Sequence, residues 1–136
     1  MLKGKLIHPG LIHQLALCGH GSKILIADGN YPLEEKSSGV KIFLGLGPGV
    51  PSVIEVLAAI HSVCGIEKAQ VMVPEDDREP EIFGEFRREL PDLELEELVR
   101  YDFYAACMEE GVLKLAVSTG EQRTFANILL TVGCVE

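Results

Sequence analysis

The sequence has no tryptophan, few aromatic residues and few basic residues. Aromatic residues make up 6% of the 136 positions, and 12 lysines and arginines stand against 21 aspartates and glutamates, for a formal net charge of −9. Nucleic acids and anionic membranes are bound by cationic surfaces, so neither is expected as a partner. No apolar run approaches the ~20 residues of a spanning helix, and no export signal is visible, so a cytoplasmic location is expected.

Cysteine is scarce, and its four copies are widely spaced among apolar neighbours. The even number permits two disulfides, but without an export signal we expect reduced and mostly buried thiols. His61 and Cys64 have the spacing of one helix face, yet no second pair with zinc-ligand spacing is present, so no metal site is predicted. The cysteines are Cys18, Cys64, Cys107 and Cys134.

The acidity is concentrated in one segment of an otherwise ordinary globular composition. Residues 75–102 contain 12 acids and 4 bases, whereas the rest of the chain has 9 acids and 8 bases. We interpret this segment as a solvated outer face rather than as a clue to a ligand. The length and the 47% apolar content predict one domain over residues 1–136.

Hydrophobic periodicity predicts an α/β chain in which short apolar strands alternate with helices. The stretch Leu93–Val99 fits both a strand and a helix. We expect a single compact domain with a buried mixed sheet flanked by helices. The predicted strands are Lys23–Asp28, Val40–Leu44, Ala69–Val73, Val112–Val117 and Asn127–Val132, and the predicted helices run from Pro9 to Gly19, from Pro51 to Val63, over Glu79–Leu90 and over Phe103–Met108.

Two residues next to the first predicted strand have side chains suited to chemistry. His20 lies between Gly19 and Gly21, where it is either an uncovered acid/base active near neutral pH or a loop histidine without a role. Asp28 ends the strand, at the edge where ligand sites of α/β sheets form, although an aspartate there can also simply cap a turn. The glycine-rich segment Gly45–Gly49 lacks the lysine and hydroxyl of a phosphate loop, which favours a tight structural turn.

Taken in order, short motifs along nearly the whole chain resemble the D-ribose pyranase / L-fucose mutarotase family. No single motif is decisive, but the ordered set is specific. The matching pieces are Gly19-His20-Gly21, Asp28 with Pro32, Gly49-Val-Pro-Ser52, Arg100-Tyr-Asp-Phe-Tyr104, Gly120-Glu121, Phe125-Ala-Asn-Ile-Leu-Leu130 and Val132-Gly133.

The resemblance implies an isomerase that interconverts ring forms of a free monosaccharide without cofactor or metal. His20 matches the residue that transfers protons, and Asp28 and Arg100 match sugar-binding positions. Phe125 departs from the family, which has a tyrosine there, so a hydrogen bond or proton relay through that hydroxyl is lost while stacking on the sugar remains open. The remaining sugar-binding matches are Ala126 and Asn127.

The resemblance leaves the sugar open and implies a cyclic homo-oligomer. Arg100 is typical of the fucose branch, whereas Gly49–Ser52 is similar to the ribose branch. L-fucose or a related hexose is therefore favoured, with a D-ribose pyranase or a non-catalytic sugar-binding module as alternatives. The family commonly forms a decamer of two stacked five-membered rings, with active sites between neighbouring subunits.

Overall fold

The structure, a computed structural model, describes residues 1–136 and contains four helices and six strands. The helices are α1 (Pro9–Ala16), α2 (Val53–His61), α3 (Ile82–Glu89) and α4 (Arg100–Cys107), and the strands are β1 (Lys23–Ala27), β2 (Val40–Phe43), β3 (Ile66–Met72), β4 (Leu95–Leu98), β5 (Leu113–Ser118) and β6 (Ile128–Val132).

All six strands belong to one mixed sheet with the order β2-β5-β1-β6-β3-β4. Strand β1 pairs in parallel with β5 and antiparallel with β6, and β6 pairs antiparallel with β3. Since β2 is parallel to β5 and β4 to β3, five strands run the same way and only β6 is reversed. The carboxyl ends of five strands and the start of β6 therefore share one edge of the sheet.

Helices cover both faces of this sheet, because its central strands are apolar on both sides. Helices α1, α2 and α3 pack on one face, where Phe83 and Phe86 are fully buried. Helix α4 packs on the other face through Phe103 and Cys107. The prediction of a single α/β domain with a buried mixed sheet flanked by helices is confirmed.

Helix α2 begins later and ends earlier than its periodicity predicts. Its first residue is Val53, because Ser52 caps it: the Ser52 side chain accepts from the Glu55 N–H at 3.1 Å, and the Glu55 carboxylate accepts from the Ser52 N–H at 2.8 Å. Pro51 thus precedes the cap rather than opening the helix. Val63 lies beyond the helix end and is exposed.

The stretch Leu93–Val99, whose pattern fits both a strand and a helix, contains strand β4, and helix α4 after it is longer than predicted. Strand β4 spans only Leu95–Leu98 and leaves Glu96 and Glu97 exposed. It is a strand because its backbone hydrogen-bonds to β3, and this pairing does not require apolar and polar side chains to alternate. Helix α4 starts at Arg100 rather than at Phe103, so Arg100 lies in its first turn.

The expectation of mostly buried cysteines is wrong. All four thiols are free, but only Cys107 is buried, Cys18 and Cys64 are half-buried, and Cys134 is exposed. Burial raises the pKa of the Cys107 thiol to about 12.

None of the four helices has the length and apolar character needed to cross a membrane.

The glycine-rich segment Gly45–Gly49 forms a tight turn packed against Gly120. A Cβ on Gly120 would lie 2.4 Å from the Gly47 carbonyl oxygen and 2.5 Å from that of Val50, so no side chain fits between these backbones. At Gly47, by contrast, a Cβ would meet nothing within 4 Å. The close approach explains why glycine is needed at position 120.

Gly120→Ala is expected to lower the free energy of unfolding by about 3 kcal/mol, because backbone atoms must move apart to admit the methyl group. The matched variant Gly47→Ala, in the same turn, should change it by no more than about 0.5 kcal/mol. Urea denaturation at one fixed protein concentration measures both. Equal stability of the two variants would contradict this account of the turn.

Candidate active site

A small cavity opens at the edge of the sheet where β1 and β3 end and β6 begins. Its volume is about 230 Å³, below the ~300–1,000 Å³ typical of sites for drug-sized ligands, so it suits a small molecule. Three sequence-predicted residues with polar side chains converge on it, although they are far apart in the chain. The lining residues are Asp28, Asn30, Tyr31, Pro32, Met72, Arg100, Tyr104, Thr124, Phe125 and Asn127.

Asp28 supplies a buried carboxylate directly after β1. Only 2% of the residue is exposed, and its two oxygens accept from the N–H groups of Asn30 (2.9 Å) and Ala126 (3.1 Å). Burial raises the pKa of the Asp28 carboxyl, and these backbone bonds offset part of the rise. Because an ionised carboxylate has about four acceptor positions, it can still accept bonds from ligand hydroxyls.

Asn127 lies beside Asp28 because β6 runs antiparallel to β1. It is 3% exposed, and its Oδ1 accepts from the backbone N–H of Asp28 at 2.8 Å. With Oδ1 occupied, the Nδ2 group is the one available to donate toward a ligand in the cavity. Two residues 99 positions apart thus form one polar wall.

Phe125 and Ala126 form the bend that brings the chain to this wall. Phe125 has a φ of 60°, in the left-handed region, which costs a residue with a side chain roughly 1–2 kcal/mol. The bend directs the N–H of Ala126, a fully buried residue, to the Asp28 carboxylate. The Phe125 ring also lines the cavity, so the residue with the strained backbone is itself part of the candidate site.

Helix α4 supplies Arg100 and Tyr104 to the opposite side of the cavity. The two are four residues apart and hence on one face of the helix. The Arg100 guanidinium carbon lies 5.8 Å from the centre of the Phe125 ring, within range of a cation–π contact. Arg100 itself is exposed, and its N–H groups are well suited to sugar hydroxyls or carboxylates.

A partly buried ion pair supports the segment that carries Phe125. Glu121 accepts from the side chain of Arg123 at 3.0 Å and from the Val53 N–H at 3.4 Å, and Arg123 also pairs with Glu85 on α3. Burial alone would raise the pKa of the Glu121 carboxyl, but the bonds and charge of Arg123 outweigh it and hold that pKa below its usual range. The segment is thereby tied to both α2 and α3.

His20 lies at the other end of the sheet and does not reach this cavity within the chain. It precedes β1, whereas Asp28 follows it, and five strand residues at about 3.3 Å each separate them by roughly 17 Å. Its side chain is 59% exposed, and its Nε2 lies 3.0 Å from both carboxylate oxygens of Glu67 on β3. A single chain therefore holds the predicted acid/base and the predicted binding residues in two separate places.

Two of the other histidines form hydrogen bonds within the chain. His8 caps α1 by accepting from the Leu11 N–H, and His61 pairs with Glu89 at 3.0 Å. No three histidine, cysteine or acidic side chains are grouped so that they could hold a metal ion.

A larger depression, of about 610 Å³, lies between α1 and the starts of β2 and β5. None of its polar residues is buried, so the smaller cavity is the better candidate for a functional site.

Among the residues at these two places that were not predicted as site residues, three are aromatic or ionisable. Glu67 contacts His20, while Tyr104 and Tyr31 line the cavity. The spacing of Arg100 and Tyr104 was a usable signal, because it places both on one helix face once the helix is known to start at Arg100. Glu67 gave no signal, since its proximity to His20 depends on the order of the strands.

Comparison with known proteins gives one family for the whole chain. The model of the RbsD / FucU transport protein family matches residues 1–135. Among curated proteins, a D-ribose pyranase from Chloroflexus aggregans is 30% identical over 135 residues and covers 99% of each chain. A D-ribose pyranase from Proteus mirabilis is 30% identical over 138 residues, with 98% of each chain covered.

Solved structures give the same result for the fold. The structure of Bacillus subtilis RbsD complexed with D-ribose superposes with a TM-score of 0.87 at 26% identity, covering all of both chains. The fucose mutarotase from Streptococcus pneumoniae in complex with L-fucose gives a TM-score of 0.81 at 29% identity, over 96% of this chain and 95% of that one. Both similar structures contain a bound monosaccharide.

Proposed function

The chain belongs to the RbsD / FucU transport protein family, and from this membership we propose that it is an isomerase that interconverts the ring forms of a free monosaccharide. The observation that carries the proposal is the convergence of a buried carboxylate, a buried amide and a guanidinium on one small cavity. Asp28 accepts hydrogen bonds, whereas Asn127 and Arg100 donate them, which suits the several hydroxyls of a sugar. The relatives named above as D-ribose pyranase and fucose mutarotase support the same reaction class.

His20 of a neighbouring subunit completes the site in this proposal. The two ends of the sheet carry complementary parts, so subunits arranged head to tail bring the His20 end of one against the cavity of the next. Contacts of this heterologous kind form rings when the rotation between neighbours closes. Exposed apolar side chains are available for them at both edges of the sheet: Leu17, Val63 and Val135 at the edge of His20, and Phe43, Leu46, Val50 and Val99 at the edge of the cavity. A cyclic homo-oligomer, in the first instance a decamer, is the proposed assembly.

The proposed reaction opens and recloses a cyclic hemiacetal. The anomeric hydroxyl loses its proton, the bond from C1 to the ring oxygen breaks, and that oxygen gains a proton, which leaves the open-chain carbonyl form. After rotation about C1–C2, the same hydroxyl recloses the ring as the other anomer, or a different hydroxyl closes a ring of another size. A neutral imidazole both accepts and donates protons near pH 7, so His20 serves both steps. Glu67 orients its ring through Nε2.

The proposed sugar is L-fucose or a related hexose. Arg100, in the first turn of α4, supports this choice, because arginine at this position is typical of the fucose branch that the chain resembles. D-ribose is the second candidate, supported by the names of the curated relatives. With either sugar, Phe125 is excluded as a proton-transfer residue, since its ring can stack on a sugar but cannot relay a proton.

Saturation-transfer NMR of anomeric protons tests this function. Purified protein is added to L-fucose, D-ribose, D-galactose and L-rhamnose at equilibrium, and the rate of exchange between anomers is compared with the spontaneous rate. We expect acceleration with at least one of these sugars, and L-fucose is expected to give the largest. Sugar-dependent thermal stabilisation without faster exchange would instead identify a non-catalytic binding module, and the isomerase proposal would then be wrong.

A further inference from the structure

Tyr104 is the one tyrosine lining the cavity whose hydroxyl is not already bonded within the chain. Of the three aromatic residues that line the cavity, Tyr31 is buried and donates its hydroxyl to the Lys36 carbonyl at 2.7 Å. Phe125 has no hydroxyl. The Tyr104 hydroxyl has no hydrogen-bond partner in the chain, although the residue is half-buried.

The ring of Tyr104 is nevertheless held in place. It meets the Tyr31 ring edge to face, with centroids 5.5 Å apart and an angle of 72°, and the Lys36 ammonium lies 5.6 Å from its centroid. A second edge contact joins it to Tyr101 at 6.4 Å. These contacts fix the ring, so its hydroxyl is a preorganised polar group whose position does not depend on a ligand.

We propose that Tyr104 is a specificity-determining residue, whose hydroxyl bonds one hydroxyl of the sugar held by Asp28 and Arg100. This inference rests on the proposed function and adds a contact to it. Tyr104 and Arg100 share one face of α4, four residues apart, so they contact neighbouring parts of the same ligand. A site that bonds a particular hydroxyl discriminates against sugars that lack it.

Tyr104→Phe tests the proposal, because it removes the hydroxyl and keeps the ring and its contacts. We expect sugar binding, measured by calorimetric titration, to weaken about three- to tenfold, as for loss of one hydrogen bond between uncharged groups. The exchange rate at saturating sugar should change less than twofold, because the chemical step does not use this group. The melting temperature should not fall, since the hydroxyl has no partner in the chain.

A panel of monodeoxy sugars separates a direct contact from a general effect on the cavity. One analogue, which lacks the hydroxyl that Tyr104 contacts, should bind the wild type and Tyr104→Phe equally, while the others retain the full difference. Tyr101→Phe is the matched control: Tyr101 lies on the same helix, is 76% exposed and is outside the cavity, so binding should not change.

The outcomes distinguish this inference from the function on which it rests. If the wild type accelerates exchange and Tyr104→Phe binds every sugar as the wild type does, the role of Tyr104 is refuted and the isomerase proposal stands. If Tyr104→Phe weakens all analogues alike, the hydroxyl acts on the cavity rather than on one sugar group, and the specificity role is also refuted. If the wild type accelerates exchange of no sugar, the function itself fails.

Discussion

Replacing His20 with alanine is expected to slow anomer exchange by about 10²–10⁴-fold, the usual contribution of a positioned general acid/base. Because His20 is largely exposed and its side chain hydrogen-bonds to the Glu67 carboxylate, folding should be nearly unaffected; an exposed polar contact of this kind contributes about 0–1 kcal/mol. Saturation-transfer NMR gives the rate, and thermal denaturation gives the stability. His13→Ala, which removes an exposed histidine from α1, is the control and should exchange sugar at the wild-type rate.

Because His20 is separated from the cavity within one chain, mixing two variants can test whether the site is shared between subunits. His20→Ala subunits retain Asp28, and Asp28→Asn subunits retain His20. The assay uses a sugar concentration well below the wild-type Kd, where both variants are slow. When the two are dissociated and reassembled together in equal amounts, about a quarter of the sites between subunits should receive both intact residues. Exchange should therefore return to roughly a quarter of the wild-type rate.

This result depends on the site lying between subunits. If both residues acted within one chain, no site in the mixed assembly would be intact, and the mixture would stay as inactive as its components. Reassembly of each variant alone under the same treatment is the control for incomplete inactivation. An active monomer in sedimentation velocity would likewise contradict the shared site.

The helices and most strands could be predicted because their signals are local. The apolar spacing of Ile82, Phe83 and Phe86 identifies α3, and all three are buried against the sheet. The apolar run after Lys23 identifies β1. Strand β4 could not be assigned, since a four-residue edge strand is stabilised by backbone bonds to β3, and its side chains need not alternate.

The assembly of the site could be predicted only in part, because it depends on strand order. Asp28 and Asn127 were expected as the last residue of one strand and the first residue of another. Asp28 directly follows β1 and Asn127 directly precedes β6, at the same edge of the sheet. That they bond to each other across 99 residues follows from β6 running antiparallel to β1, which no local pattern specifies. His20 lies at the opposite edge, because it precedes β1 whereas Asp28 follows it.

Replacing Asp28 with asparagine is expected to weaken sugar binding by about 10- to 100-fold, which corresponds to losing one hydrogen bond to a charged group, about 1.5–3 kcal/mol. The neutral amide has one oxygen in place of two, and that oxygen cannot satisfy Asn30, Ala126 and a sugar hydroxyl together. Calorimetric titration with the preferred sugar measures the effect. Asp92→Asn, at an exposed acid outside the cavity, should bind as the wild type does.

The same substitution should change how stability depends on pH, in a direction set by burial. Burial raises the pKa of Asp28 in the folded chain above its ordinary value of 3.8, so the folded protein holds this proton longer than the unfolded chain. The contribution of Asp28 to stability is therefore fully present below the unfolded pKa and is lost as pH rises through the folded pKa. Asp28→Asn lacks this titration.

The free energy of unfolding of the wild type should consequently fall relative to that of Asp28→Asn as pH rises from about 3.8 through the raised folded pKa. Urea denaturation of both proteins across this range measures the difference, and the same concentration of sugar should stabilise the wild type more than the variant. A constant difference at all pH values would mean that Asp28 ionises as readily in the folded protein as in the unfolded chain. The bonds that Asp28 accepts from Asn30 and Ala126 would then offset the whole effect of burial.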